Sequence, residues 1–219
     1  MPLGTAGRLT LDGIEPLAVR IGQAARDALA GPPTRREIEL TVDGVRLTGA
    51  VAGVGARGLV VAQYSRIRGR HELRCWIRHL ALSASGMDLP AILVGRNASK
   101  ALCTAVRFDP VDDPRQLLET LLALYRRGQE WPLPFFQKAS RTYAEQVAKG
   151  RSEGQALTEA EKAYAPSDRA QADGDDASVA QVYPNGAPFA AGGAPRDDFA
   201  ATALAVFAPF FGHRSEATT

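Results

Sequence analysis

Cysteine is scarce in this 219-residue chain: only Cys75 and Cys103 occur, far apart and in unrelated contexts. Two such residues rule out a disulfide framework and point to a reducing compartment. Long apolar runs are missing as well, and none approaches the ~20 residues needed to cross a bilayer. Met1 to Arg8 is small and polar, without the basic patch and apolar stretch of a secretory leader. The expectation is a cytoplasmic protein with no membrane association. No nucleophile elbow of the Gly-x-Ser-x-Gly type is present, and no phosphate-binding loop. Gly53-x-Gly55-x-x-Gly58 matches a dinucleotide fingerprint in letters only. It lies between two strand-like runs, and no helix starts at Gly58, so it reads as a turn.

What is present suffices for a core. Hydrophobic residues make up 45% of the chain, and a chain of this size buries roughly 70% of its unfolded surface without any staple. The net charge of +2 hides an uneven distribution. From Arg46 to His79 there are seven arginines (46, 57, 66, 68, 70, 74, 78) against one acid, Glu72. From Ser152 to Asp198 the balance reverses, with nine acids against three bases. Such asymmetry points to a region that meets phosphates or acidic partners, or else to a solvated face.

Along the chain, Leu9 to Leu11 reads as a short strand and Glu15 to Leu29 as a helix, with Pro16 in its first turn. Glu37 to Val42 alternates, Asp43-Gly44 signals a hairpin, and Val45 to Val54 returns. Leu59 to Tyr64 suits a central strand. Glu72 to Leu82 carries a helical stripe of Leu73, Trp76, Ile77 and Leu80. Strands over Ala91 to Val94 and Leu102 to Phe108 follow. The clearest helix has Asp113 as N-cap, Pro114 at its first position, a stripe of Leu117, Leu118, Leu121, Leu122 and Tyr125, and Gly128 as stop. After the aromatic loop Trp131 to Phe136 come helices over Lys138 to Lys149, Thr158 to Tyr164 and Asp197 to Phe211. The stretch 184–195 is expected to be mobile. The expected fold class is α/β, a mixed sheet flanked by helices on both faces. Its expected parts are a core over 1–149, a variable insertion over 150–196, and a final helix and tail over 197–219.

A hairpin, a further strand and then a helix is also how the restriction-endonuclease-like (PD-(D/E)XK) core is laid out. That core needs an acid on its second strand and acid-x-Lys on its third to hold Mg²⁺ and activate water. Between Asp43 and Glu72 this chain has no carboxylate and no lysine. Ala62-Gln63-Tyr64 stands where acid-x-Lys belongs. A hard cation finds no anionic ligand there, so the expected fold is catalytically degenerate, with no catalytic residue, metal site or cofactor. Asp43 or Glu72 acting from unusual positions is the divergent-nuclease alternative. His71, Cys75 and His79 at i, i+4, i+8 on one helix cannot converge, since the first and last lie roughly 12 Å apart along its axis. Arg57, Arg66, Arg68, Arg70, Arg74 and Arg78 are the candidate DNA-contacting residues, with docking to a protein partner as their rival use. Trp131, Phe135 and Phe136 are either the edge of a core or anchors for a partner.

Trp76-Ile-Arg-His-Leu80 with its Ser83-Ala-Ser-Gly86 tail resembles a helix of the C-terminal domain of the exodeoxyribonuclease V gamma subunit (RecC) family. The run Leu122 to Phe136, with Pro132-Leu-Pro134, is similar to a second segment of that family. Lys138 to Tyr143 and Phe199 to Phe211 are similar to two more. The resemblance implies a nuclease-like fold without nuclease residues, inside a helicase–nuclease that processes double-strand ends. It implies a role in splitting or guiding the strands of double-stranded or forked DNA, with the beta and alpha subunits of exodeoxyribonuclease V as partners. The family's subunit is several times longer, so recognition of a recombination signal is not implied for this chain.

Overall fold

A computed structural model describes residues 4–97, 102–165, 172–184, 189 and 194–218. Contacts divide the chain into two compact units, Met1–Pro114 with His213–Thr219, and Arg115–Gly212.

The first unit is built on a six-stranded sheet in the order β1-β2-β3-β4-β5-β6. Helix α1 (Thr5–Leu29) precedes β1 (Thr34–Val42), β2 (Val45–Gly55) and β3 (Gly58–Arg66). Helix α2 (Gly69–Ala84) leads to β4 (Ala91–Arg96) and β5 (Cys103–Phe108), and β6 (Arg214–Thr218) closes the sheet. β3 and β4 are parallel, with α2 as their crossover, and the other neighbours are antiparallel. The fold is therefore mixed α/β, as the sequence implies. Strand alternation places α1 and α2 on opposite faces. Leu17, Ile21 and Ala25 of α1 cluster with Val60, Val94 and Cys103, whereas Trp76 of α2 meets Phe108, of opposite parity on β5, at 5.4 Å.

The hairpin turn falls where Asp43-Gly44 places it, both residues having positive φ (45° and 72°), the backbone of the tight turn whose twist suits paired strands. Gly55 pairs with Gly58 across Ala56-Arg57, so the glycine triplet is a hairpin and not a cofactor loop. Gly53 has φ 86°, and a Cβ there would collide with the Val60 carbonyl. Beyond that point β2 follows β1, pairing with β3 only at Val54–Leu59 and Gly55–Gly58.

Several expectations are corrected. Leu9 to Leu11 is helical, because α1 starts at Thr5 and runs through Pro16. A three-residue segment has no strand partner to hold it, and one proline removes only one helical hydrogen bond. Gly128 does not stop its helix, which continues to Glu130. Glycine weakens a helix but ends one only when its backbone turns left-handed. The buried face of α2 comprises Glu72, Cys75, Trp76, His79, Leu80, Leu82 and Ser83, while Ile77 is 42% exposed. That face is rotated from the hydropathy stripe because it carries an acid, an imidazole and a hydroxyl. Strand β6 was not expected: its polar sequence has no strand signature, and it forms by pairing with β5 from Thr104–Thr218 to Phe108–Arg214.

The second unit is helical. It comprises α3 (Pro114–Glu130), α4 (Gln137–Ala148), α5 (Glu153–Tyr164), a 3₁₀ turn (Asp173–Asp175), α6 (Ala177–Val182) and α7 (Ala194–Gly212). Its core gathers Phe136, Tyr143, Leu157, Tyr164, Phe189 and Phe199, with the Phe189 and Phe199 rings stacked at 3.8 Å. α5 begins earlier than expected because Ser152 accepts from the Gln155 amide while Gln155 accepts from that of Ser152, a capping box legible as Ser-x-x-Gln. α4 lacks a cap of its own, and Asp173 supplies one from 35 residues downstream, accepting from Lys138 N and Ala139 N at 2.9 and 2.8 Å. The expectation for 184–195 falls largely outside the described residues.

Candidate nucleic-acid interface

In β3 the segment expected to replace acid-x-Lys is irregular. Ala62 pairs with Val94 and Arg66 with Arg96, so two extra residues of β3 bulge out between those rungs. A bulge re-aims side chains. Gly95 makes room for it, since a Cβ there would lie 2.9 Å from Ile67 Cγ1 and 3.2 Å from the Gln63 and Ser65 carbonyls. Gln63 reaches His71 Nδ1 at 2.7 Å, and the Tyr64 ring carries the Arg96 guanidinium at 5.2 Å from its centroid. The chain then turns at Ile67, whose N–H donates to Arg96 O at 3.0 Å, and enters α2 two residues later.

The parallel pair and its crossover thus bring the C-terminal ends of β3 and β4 and the start of α2 together, the usual place for ligands in open α/β sheets. Arg66, Arg68 and Arg70 lie here, and Arg74 and Arg78 continue from Arg70 at four-residue intervals along α2. All five are exposed. None of the five makes an ion pair with any described residue. Arg96, which sequence reasoning missed, joins them from 30 residues away. Arg57 does not: it sits in the β2–β3 turn, at the opposite end of β3, roughly 20 Å or more away at ~3.3 Å per residue. Arg46 is paired with Glu39 at 2.8 Å.

His71 lies inside this group. The Arg68 N–H donates to its Nδ1 at 3.2 Å, and the Gln63 side-chain amide nitrogen lies 2.7 Å from the same atom. Arg70 Nε–H points at Nε2 at 3.2 Å. Partial burial, followed by the charge of Arg70 and the weaker effects of Arg68 and Arg74, holds the imidazole pKa below its ordinary 6.5, against a raising contact with the Arg66 backbone.

On the other side of the divergence at Gly53, a cleft of about 400 Å³ opens between the end of α1, β1, β2 and β3. Its walls are Ala25, Leu29, Pro33, Thr34, Arg35, Ala52, Gly53, Val60 and Ala62. No carboxylate is among them. Asp43 is at the hairpin turn. Glu72 is buried and bound by Arg214 Nη2 and Nε at 2.7 and 2.8 Å, which commits it to structure. Among the described residues no group of three His, Cys, Asp or Glu side chains could hold a metal ion.

In the second unit the three aromatic candidates part company. Trp131 is 74% exposed, whereas Phe136 is 4% exposed in the core, against Tyr164, Tyr183, Phe189 and Phe199. Phe135 is half-buried and stacks on Phe207 at 5.9 Å. Only Trp131 is free to meet another molecule, and Tyr125 of α3, 63% exposed, is a further exposed aromatic.

Trp76 and His79 of the Trp-x-x-His-Leu helix are core residues, 1% and 0% exposed. The Trp76 ring lies 5.6 Å from that of His79 and 5.9 Å from that of His213. His79 Nε2–H donates to Asp109 O at 3.1 Å, and Asp109 N–H donates to His213 O at 2.9 Å, so the motif fastens the approach to β6. Among the described residues no helix is long and apolar enough to cross a membrane.

The RecBCD enzyme subunit RecC of Mycolicibacterium smegmatis (strain ATCC 700084 / mc(2)155) is 38% identical over 104 residues, 47% of this chain and 10% of that protein. The same-named subunit of Mycobacterium tuberculosis (strain CDC 1551 / Oshkosh) is 30% identical over 145 residues, 64% of this chain and 13% of that protein. The chain spans only about a tenth of the length of these relatives. The family model of the RecC C-terminal domain matches residues 1–148, and the chain belongs to that family.

Proposed function

We propose that this chain is a non-catalytic DNA-contacting domain of a RecC-like subunit, guiding or splitting the strands of a forked duplex in a cytoplasmic helicase–nuclease for double-strand break repair. The observation that carries this reading is the file Arg66, Arg68, Arg70, Arg74 and Arg78, exposed and without ion-pair partners among the described residues, at the end of a parallel strand and along the following helix. Guanidinium groups so placed contact phosphates independently of sequence and release counterions on binding. The order α1-β1-β2-β3-α2-β4 fits a restriction-endonuclease-like core, and a cleft lining without a carboxylate fits loss of its chemistry. A divergent nuclease acting through Glu72 is disfavoured by the ion pair to Arg214.

Fluorescence anisotropy of a labelled forked duplex, titrated with the chain at low and moderate salt with Mg²⁺, tests the reading. Binding that weakens steeply with salt while the label stays uncut is expected. Cleavage, or no binding at any protein concentration, would overturn it. A docking role beside DNA contact is supported by the exposed Trp131 and Tyr125, with the beta and alpha subunits as partners. Loss of co-purification with those subunits in Trp131→Ala is the corresponding test.

A further inference from the structure

We infer that the basic face contains one discrete phosphate seat, in which the Arg96 guanidinium, held on Tyr64 and flanked by Arg66, Arg68 and Arg70, receives a single phosphate group of the DNA. The inference rests on the reading above and sharpens it: a diffuse file of arginines attracts a polyanion, whereas a seat fixes the register of the strand.

Four observations converge on Arg96. Its register partner across the parallel pair is Arg66, so two like charges sit on strands about 4.8 Å apart with no described acid to neutralise either. Its Nε is buried yet has no hydrogen-bond partner, although donors withdrawn from water are normally satisfied. The guanidinium is not free to swing, because Tyr64 holds it 5.2 Å from the ring centroid. Finally, the β3 bulge that presents Tyr64 and the glycine that admits the bulge give the position a built geometry. An oxyanion placed there would accept from the Nη atoms at the outer edge of the part-exposed guanidinium and meet the positive end of α2, whose first-turn amides favour anions. A planar fork of donors suits phosphate in a way that a lysine point charge does not.

The full chain with ¹⁵N-labelled arginine tests this by the Arg96 Nε–H resonance, assigned by its loss in Arg96→Gln. Saturable movement of that resonance on titration with inorganic phosphate is expected, as is a tenfold or greater loss of forked-duplex affinity in both Arg96→Gln and Arg96→Lys. Melting temperatures of the two variants separate loss of binding from loss of folding. Forks carrying a 5′-phosphate or a 5′-hydroxyl distinguish the source: equal affinity assigns the seat to a backbone diester, and tighter binding of the phosphorylated end assigns it to a terminal monoester. An unmoved Arg96 resonance with fork binding intact in the folded variants would overturn the seat and leave the DNA-contacting reading standing. An unmoved resonance with no fork binding in the wild type would overturn both.

Discussion

Arg214 Nη2 lies 2.7 Å from Glu72 Oε1, and a contact from Nε at 2.8 Å backs it, across 142 residues of sequence. The Glu72 side chain is 2% exposed and that of Arg214 17%. The pair joins the first turn of α2 to the first residue of β6, and Glu216 braces Arg214 at 2.7 Å from the other side. A buried charge left without its partner costs about 3–5 kcal/mol, whereas replacing both by apolar groups of similar volume is often neutral. Glu72→Leu and Arg214→Met are each expected to lower unfolding free energy by a few kcal/mol. The double variant Glu72→Leu/Arg214→Met is expected to lose less than the sum. Urea denaturation of the three variants checks this, and strict additivity would refute the pairing.

Acid should destabilise the fold through His79. Burial first, and the nearby His213 to a lesser extent, hold its pKa below 6.5, against the raising effects of Asp109 and Asp88. The unfolded chain therefore binds the proton more tightly than the native one. Stability is complete above pH 6.5 and falls as pH drops from there towards the lower native value. Thermal melts between pH 8 and 5 should show a flat upper region and a declining lower one. His79→Gln should flatten the decline.

Cys75 should be inert. It is 1% exposed, and burial pushes its thiol up to about 12, so almost no thiolate exists at neutral pH. Cys103 is 2% exposed. A thiol reagent at pH 8 is expected to label neither cysteine in the native chain and both in denaturant.

Arg57 should behave unlike the other arginines. Replacing Arg66, Arg68 and Arg70 by Ala is expected to weaken fork binding and to reduce the salt slope by about 0.9 for each phosphate contact removed. Arg57→Ala, at the far end of β3, should leave both affinity and slope near wild type. Equal losses in the two variants would place the DNA along the whole strand.

Asp173→Ala removes the cap of α4. A side-chain acceptor at a helix start contributes about 1 kcal/mol, within a range of roughly 0.5–2. A fall of that size in urea-measured stability is expected, with fork binding unchanged.

Much of this chain was legible residue by residue. Alternation in Glu37 to Val42, the Asp43-Gly44 turn, the apolar Leu59 to Tyr64 run and the leucine stripe of α3 are local signals, repeating at the period of the element they form. The arginine file was equally plain, because Arg70, Arg74 and Arg78 fall four residues apart on one helix. The Trp76 helix carried the family resemblance that the matched RecC C-terminal domain model bears out.

What sequence could not reach depends on pairs distant along the chain. Nothing near Arg96 marks it as a neighbour of Arg66; the parallel register does, after a crossover of some 30 residues. The β3 bulge has no signature in Gln63-Tyr64-Ser65, since its cause is the space left at Gly95. Phe136 and Trp131 look alike in an aromatic loop, yet one is core and the other exposed, because burial is decided by the helices that pack around the loop. Polar Arg214 to Thr218 becomes a strand only because β5 offers an open edge and Glu72 a buried charge to meet. Periodicity within a segment reports the segment's own preference, while register, capping in trans and ion pairing are properties of two segments at once. The sequence alone therefore determined the elements and the basic segment, and tertiary structure alone decided which charges stand free and which are spent holding the fold.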